Sequence, residues 1–150
     1  MGVNINRAAM HRDLQQAGLR WGNRIGRRIV NEAKEECPVD EGALRSSLSH
    51  VVIQSGTKTT TIVGSEEEYA KYVNDGTGIH GPHQTPIVPV SAKALKFRAS
   101  MKGAQKRPSK DKRPWVFAKS VAGQKANPFL ARALRNVLGD IVRDNPRGNQ

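Results

Sequence analysis

The chain has 150 residues, enough for about one domain, with 37% hydrophobic and only 5% aromatic content, so the core it can bury is thin. Lys and Arg number 25 against 13 Asp and Glu, a formal net charge of +12, which points to an anionic partner: nucleic acid, a membrane surface or an acidic protein. The sequence has no apolar run of about 18 residues to span a membrane and no apolar signal core at its start to direct export. Its single Cys37 excludes an internal disulfide and suits a reducing compartment.

In chain order, residues 7–36 read as one long helix, because Leu14, Trp21, Ile25, Ile29 and Ala33 recur on one face. Arg20, Arg24, Arg27 and Arg28 fall on a neighbouring polar face. Gly18, Gly22 and Gly26 form a further row, each costing about 1 kcal/mol against Ala in a helix interior. Either another backbone packs closely there or the helix breaks near Gly22. Pro38 stops the helix at Cys37. Asp40 then reads as an N-cap, with Val39 and Leu44 spaced as a hydrophobic staple around it. "HVVIQ" and "TTTIVG", joined by "SGTK", predict a hairpin, and "EEEYAKYVNDGTG" a short amphipathic segment. Residues 76–92 hold three Gly and three Pro, and the stretch 79–93 reads as a loop rich in Gly, Pro and His. "ALKFRAS" and "PWVFAKSV" predict a second strand pair around a long basic loop, 101–113. Asn127 and Pro128 open a last helix with the apolar stripe Leu130, Leu134, Val137 and Ile141. Residues 144–150 form a tail. The expected fold is α+β, a single domain over 1–150. The long N-terminal helix and the C-terminal helix pack on an antiparallel sheet of about four strands.

Chemistry-bearing patterns fail on context. "GTGIHG" matches G-x-G-x-x-G, yet Gly81 is followed by Pro82, so no phosphate-binding helix opens there. His80 and His83, with His11 and His50 elsewhere, lack the four-ligand set of structural zinc, and no metal is expected. Cys37 with His50 lacks an orienting acid, and a small buried Cys is the better reading. No catalytic constellation emerges, so neither an enzyme nor a cofactor is expected. Lys102, Lys106, Arg107, Lys110, Lys112 and Arg113 make the basic loop a docking or lumen candidate. It would act on an acidic neighbour or on phosphates without reading sequence.

Three stretches carry a family resemblance: "CPVDEGALRSSL" (37–48), "YAKYVNDGTG" (69–78) and "NPFLARAL" (127–134). Their order and spacing resemble the tail-completion or head–tail joining proteins of long-tailed bacteriophages, also described as minor tail components and similar to minor tail protein Z. Two positions depart from that pattern: Glu41 stands where the family usually has Thr, and Asn74-Asp75 where it usually has an acid-aromatic pair. The resemblance implies a non-enzymatic virion protein, made in the host cytoplasm and placed at the neck, that forms a homo-oligomeric ring of six in step with the tail. It implies contact with adjacent neck proteins, namely a head connector or stopper, a tail terminator or the tail tube, and non-specific contact with genomic DNA. Subunit-interface candidates are Gly18, Gly22, Gly26, Tyr69, Tyr72, Asn74, Asp75 and Phe129. The alternatives are a tail terminator capping the tube and, in another class, a small basic DNA-binding protein.

Overall fold

The fold starts from an uninterrupted helix. In the computed structural model, which describes residues 6–40, 42–99 and 109–144, α1 spans Arg7–Glu36. Asn6 caps it, its side chain accepting from the Ala9 N–H at 3.1 Å. It ends at Cys37, whose extended backbone is what a residue before proline prefers. The helix passes through Gly22 without a break, so of the two readings of the glycine row, close packing holds.

A short helix, α2 (Ala43–Ser47), leads into an antiparallel hairpin of β1 (Leu48–Ser55) and β2 (Lys58–Ser65). The two-residue turn puts Gly56 at φ 57°, a positive value that glycine adopts at no steric cost. Alternation sets the faces. His50, Val52 and Gln54 with Thr59, Thr61 and Val63 turn inward, while Val51, Ile53 and Ile62 turn outward and are exposed. The inner face packs on α1, and α4 (Phe129–Asp144) packs antiparallel along α1 as well. The core of this first unit is Ile25, Ile29, Val30, Ala33, Cys37, Leu44, Leu48, Phe129, Ala133 and Val137.

The second unit, residues 71–127, takes in most of α3 (Tyr69–Asp75) and a second antiparallel pair, β3 (Leu95–Arg98) with β4 (Trp115–Ala118). The expected α+β fold with four antiparallel strands is present. Among the described residues the strands form two two-stranded sheets rather than one continuous sheet, β1 pairing with β2 and β3 with β4.

Several local expectations are corrected. The N-cap of α2 is Gly42 at φ 90°, with no side-chain cap bond, in place of Asp40. A left-handed glycine redirects the chain two residues later than an Asp cap would. Of the two staple candidates, Leu44 is buried and Val39 is about half exposed. Leu14 (61% exposed) and Trp21 (50%) lie outside the core. On α4 the buried line is Phe129, Ala133 and Val137, whereas Leu134 is exposed. The helix starts one residue later than Pro128 would place it.

Candidate assembly surfaces

The glycine row proves to be an intramolecular seam. A side chain on Gly18 would strike the Thr59 hydroxyl, and one on Gly26 would strike the His50 ring. At Gly22 an added Cβ would sit 2.9 Å from both Thr61 Oγ1 and Val52 Cγ1. Thr61 donates from Oγ1 to the Gly22 carbonyl at 3.4 Å. His50 Nε2 lies 3.3 Å from Asn23 Oδ1. These three glycines therefore let the hairpin approach α1, and they do not face a neighbouring subunit as the sequence suggested. Phe129 is likewise removed from the interface set, since it is fully buried.

Of the remaining candidates, Tyr69 and Tyr72 are exposed. Asn74 donates from Nδ2 to Asp75 Oδ1 at 2.8 Å, and both are half-buried. The "GTG" stretch is built rather than slack. Thr77 N–H donates to the Gln124 carbonyl and Ile79 N–H to the Ala122 carbonyl, both at 2.9 Å. The Thr77 hydroxyl accepts from the Gln124 N–H, also at 2.9 Å. Gly78 (φ 64°) and Gly123 (φ 87°) are pressed against the Ala122 and Thr77 carbonyls, where a Cβ has no room. An open groove of about 590 Å³ beside this loop is lined by Tyr72, Asp75, Thr77, His83 and Ile87, among others.

The basic loop lies only partly within the described residues. Lys102, Lys106 and Arg107 lie outside the described residues. Lys110–Lys112 form a 3-10 turn, and Lys112 is exposed. Arg113 is buried at 7% exposure, so it is not the surface cation that the sequence suggested. Its carbonyl accepts from Arg98 Nη1 at 2.7 Å. Next to it stands a face that sequence reasoning missed. The β3–β4 register places Lys96 opposite Phe117 and Arg98 opposite Trp115. The Arg98 guanidinium lies 3.7 Å and the Lys96 ammonium 4.4 Å from the Trp115 ring centre. Matching the two strands by their charged and aromatic residues would have revealed it.

Cys37 is buried, and its thiol donates weakly to the Pro38 carbonyl at 3.5 Å. Burial pushes its pKa up, and the nearby Arg45 charge opposes this. Among the described residues no three His, Cys, Asp or Glu side chains converge to hold a metal, and no helix is long and apolar enough to cross a membrane.

Residues 4–76 match a family model described as "Bacteriophage HK97-gp10, putative tail-component". This segment is similar to the HK97-gp10-like family. The family resemblance noted on the sequence is thereby borne out for α1, α2, the hairpin and α3, whereas "NPFLARAL" lies beyond the matched stretch. A phage tail component is a virion protein that contacts other virion proteins. Neither the curated proteins nor the solved structures compared with the chain gave a match.

Proposed function

We propose that the protein is a non-enzymatic structural subunit of the phage neck, forming a ring that joins or completes the tail at the head–tail interface. The observation that carries this reading is the coincidence of the HK97-gp10-like segment with the helix–hairpin body. That body leaves Leu14, Trp21, Val51, Ile53 and Ile62 in solvent. Large apolar side chains left in solvent on two faces of a thin-cored chain suit a subunit that its neighbours complete. A hexamer would match the tail's symmetry, with a head connector or stopper on one side and the tail terminator or tube on the other. Cys37, held protonated by burial, is a poor nucleophile, in keeping with a structural role. The basic loop 101–113 supplies contacts to acidic neighbours or to the genome end, each weak contact multiplied around the ring.

Electron microscopy of particles assembled without this protein tests the reading. Full heads and finished tails that fail to join, rescued by supplying the protein, are expected. Normal joined particles would refute it. The +12 net charge favours a lone DNA-binding protein as the competing reading. A lasting monomer with steeply salt-dependent DNA affinity would select it.

A further inference from the structure

The N-terminal part of α1 carries an apolar stripe in solvent. Met10, Leu14, Ala17 and Trp21 follow the 4-3-4 spacing of a helix seam, and all four are exposed. Further along, α4 occupies this side of α1. Glu36 pairs with Arg132 at 2.7 Å, Glu32 accepts from Asn136 at 2.7 Å, and Arg28 reaches Asp140 at 3.9 Å. Leu14, Trp21 and Arg28 are spaced by sevens and so lie within about 40° of one another around the axis. The stripe therefore continues the lane that α4 fills. The described part of α4 reaches Asp144, about one turn beyond Asp140, and the lane from Met10 to Trp21 stands exposed.

Charge selects the occupant. From Arg7 to Arg28 the helix carries six arginines against Asp13 alone, and Arg20, Arg24 and Arg27 stand exposed around Trp21. A matching partner brings carboxylates with an apolar or aromatic group. The opposite end of the same unit has both. The hairpin turn lies beside the start of α1, where Gln15 donates to the Gly56 carbonyl at 3.1 Å. Its open end lies further along, where His50 meets Gly26. The chain leaves that open end as Glu66, Glu67 and Glu68, followed by the exposed Tyr69. Here α1 itself turns acidic, with Glu32, Glu35 and Glu36. Lys34, Arg45, Arg132 and Arg135 temper that end without reversing its sign.

We propose that these two ends meet between copies of this chain. The Met10–Trp21 stripe and its arginines on one copy receive the Glu66–Tyr69 segment of the next. Trp21 and Tyr69 supply aromatic contact, and Arg20 and Arg24 pair with Glu66 and Glu68. Such a contact is heterologous, joining two different patches, so it repeats head to tail and closes a ring when the rotation closes. The inference rests on the ring reading above and names the surfaces that would make the ring.

Two variants and their mixture test it. One is Arg20→Glu with Arg24→Glu, and the other is Glu66→Arg with Glu68→Arg. All four positions are exposed, and circular dichroism checks that each variant folds as wild type does. Analytical ultracentrifugation should show an oligomer for wild type and a monomer for each variant alone. The equimolar mixture should recover the oligomer, because every junction then joins one acidic and one basic patch. If wild type assembles and both variants assemble equally well, the interface lies elsewhere: this proposal falls while the ring reading stands. A wild type that stays monomeric at every concentration overturns both. If Arg20→Glu with Arg24→Glu assembles normally but loses affinity for a DNA duplex, the arginine face serves nucleic acid and the proposal is wrong.

Discussion

Gly22 and Thr61 lie so close that a methyl group on Gly22 would stand 2.9 Å from the Thr61 hydroxyl oxygen, with Val52 Cγ1 equally near. Neither neighbour is the free end of a long side chain, since both are β-branched and fixed in the hairpin. Replacing glycine by alanine in a helix gains about 1 kcal/mol of propensity, and forcing a methyl group into a packed seam costs about 1–3 kcal/mol. The second effect wins at Gly22. Gly22→Ala should lower stability in chemical denaturation by about 1 kcal/mol. Gly139→Ala provides the opposite control. This helical glycine on α4 has nothing within 4 Å of an added Cβ, so the substitution should raise stability by about 0.5–1 kcal/mol.

The loop of the second unit gives a harsher case. Gly78 combines a φ of 64° with direct contact against the Ala122 carbonyl. Gly78→Ala therefore meets two obstacles at once, backbone strain and a clash with main chain that has no rotamer to change. Loss of about 2–4 kcal/mol is expected. Hydrogen exchange gives the local readout. The Thr77, Ile79 and Gln124 amides, bonded across this loop, should lose protection in the variant. Unchanged protection there would show that the loop tolerates a side chain.

How much of this was legible beforehand follows from the range of each interaction. The bounds of α1 were readable because periodicity and Pro38 are local signals, and the hairpin was readable from two β-branched runs around a glycine turn. Periodicity could not say how far along α1 a partner extends. Leu14 and Trp21 repeat in phase with Ile25 and Ile29, yet only the latter two are covered. Asp40 has the chemistry of a cap, but the left-handed Gly42 decides where α2 begins, and a glycine permits a left-handed backbone without requiring one. Gly18, Gly22 and Gly26 announced a close approach without naming what approaches. The answer, Thr59, Thr61 and His50, depends on a register set by pairing far along the chain. The Lys96, Arg98, Trp115 and Phe117 face stayed hidden for the same reason. Its members come from two strands separated by the basic loop, and only cross-strand register brings them together.

Cys37 links burial to pH. Burial raises its folded-state pKa above the ordinary thiol value, so the folded protein holds the thiol proton more tightly than the unfolded chain does. Below the ordinary thiol value both states keep the proton, and the group's contribution to stability is unaffected by pH. Above it the unfolded chain ionises first, and stability falls as pH rises toward the raised folded value. Cys37→Ser should flatten that alkaline slope in denaturation curves measured across the range. Native protein should also react with iodoacetamide many-fold more slowly than unfolded protein at neutral pH. Equal rates would show that the thiol is open to solvent.

The Arg132–Glu36 pair joins the first turn of α4 to the last turn of α1 at 2.7 Å. The two side chains are 37% and 31% exposed, so water screens part of their attraction. Such a pair contributes about 0.5–1 kcal/mol at low salt. Its neighbours along the same helix–helix line, Glu32 with Asn136 and Arg28 with Asp140, are more open and add less. Glu36→Gln keeps the shape and a hydrogen-bond acceptor while removing the charge. It should cost about 0.5 kcal/mol at low ionic strength, and the difference from wild type should shrink toward zero in 1 M salt. Glu36→Leu would remove the acceptor as well and leave the Arg132 guanidinium without this partner. Its cost should therefore exceed that of the Gln variant and persist at high salt. Denaturation of both variants at two ionic strengths separates charge from hydrogen bonding at this joint. Equal losses at both salts for Glu36→Gln would mean that charge does not hold α4 against α1.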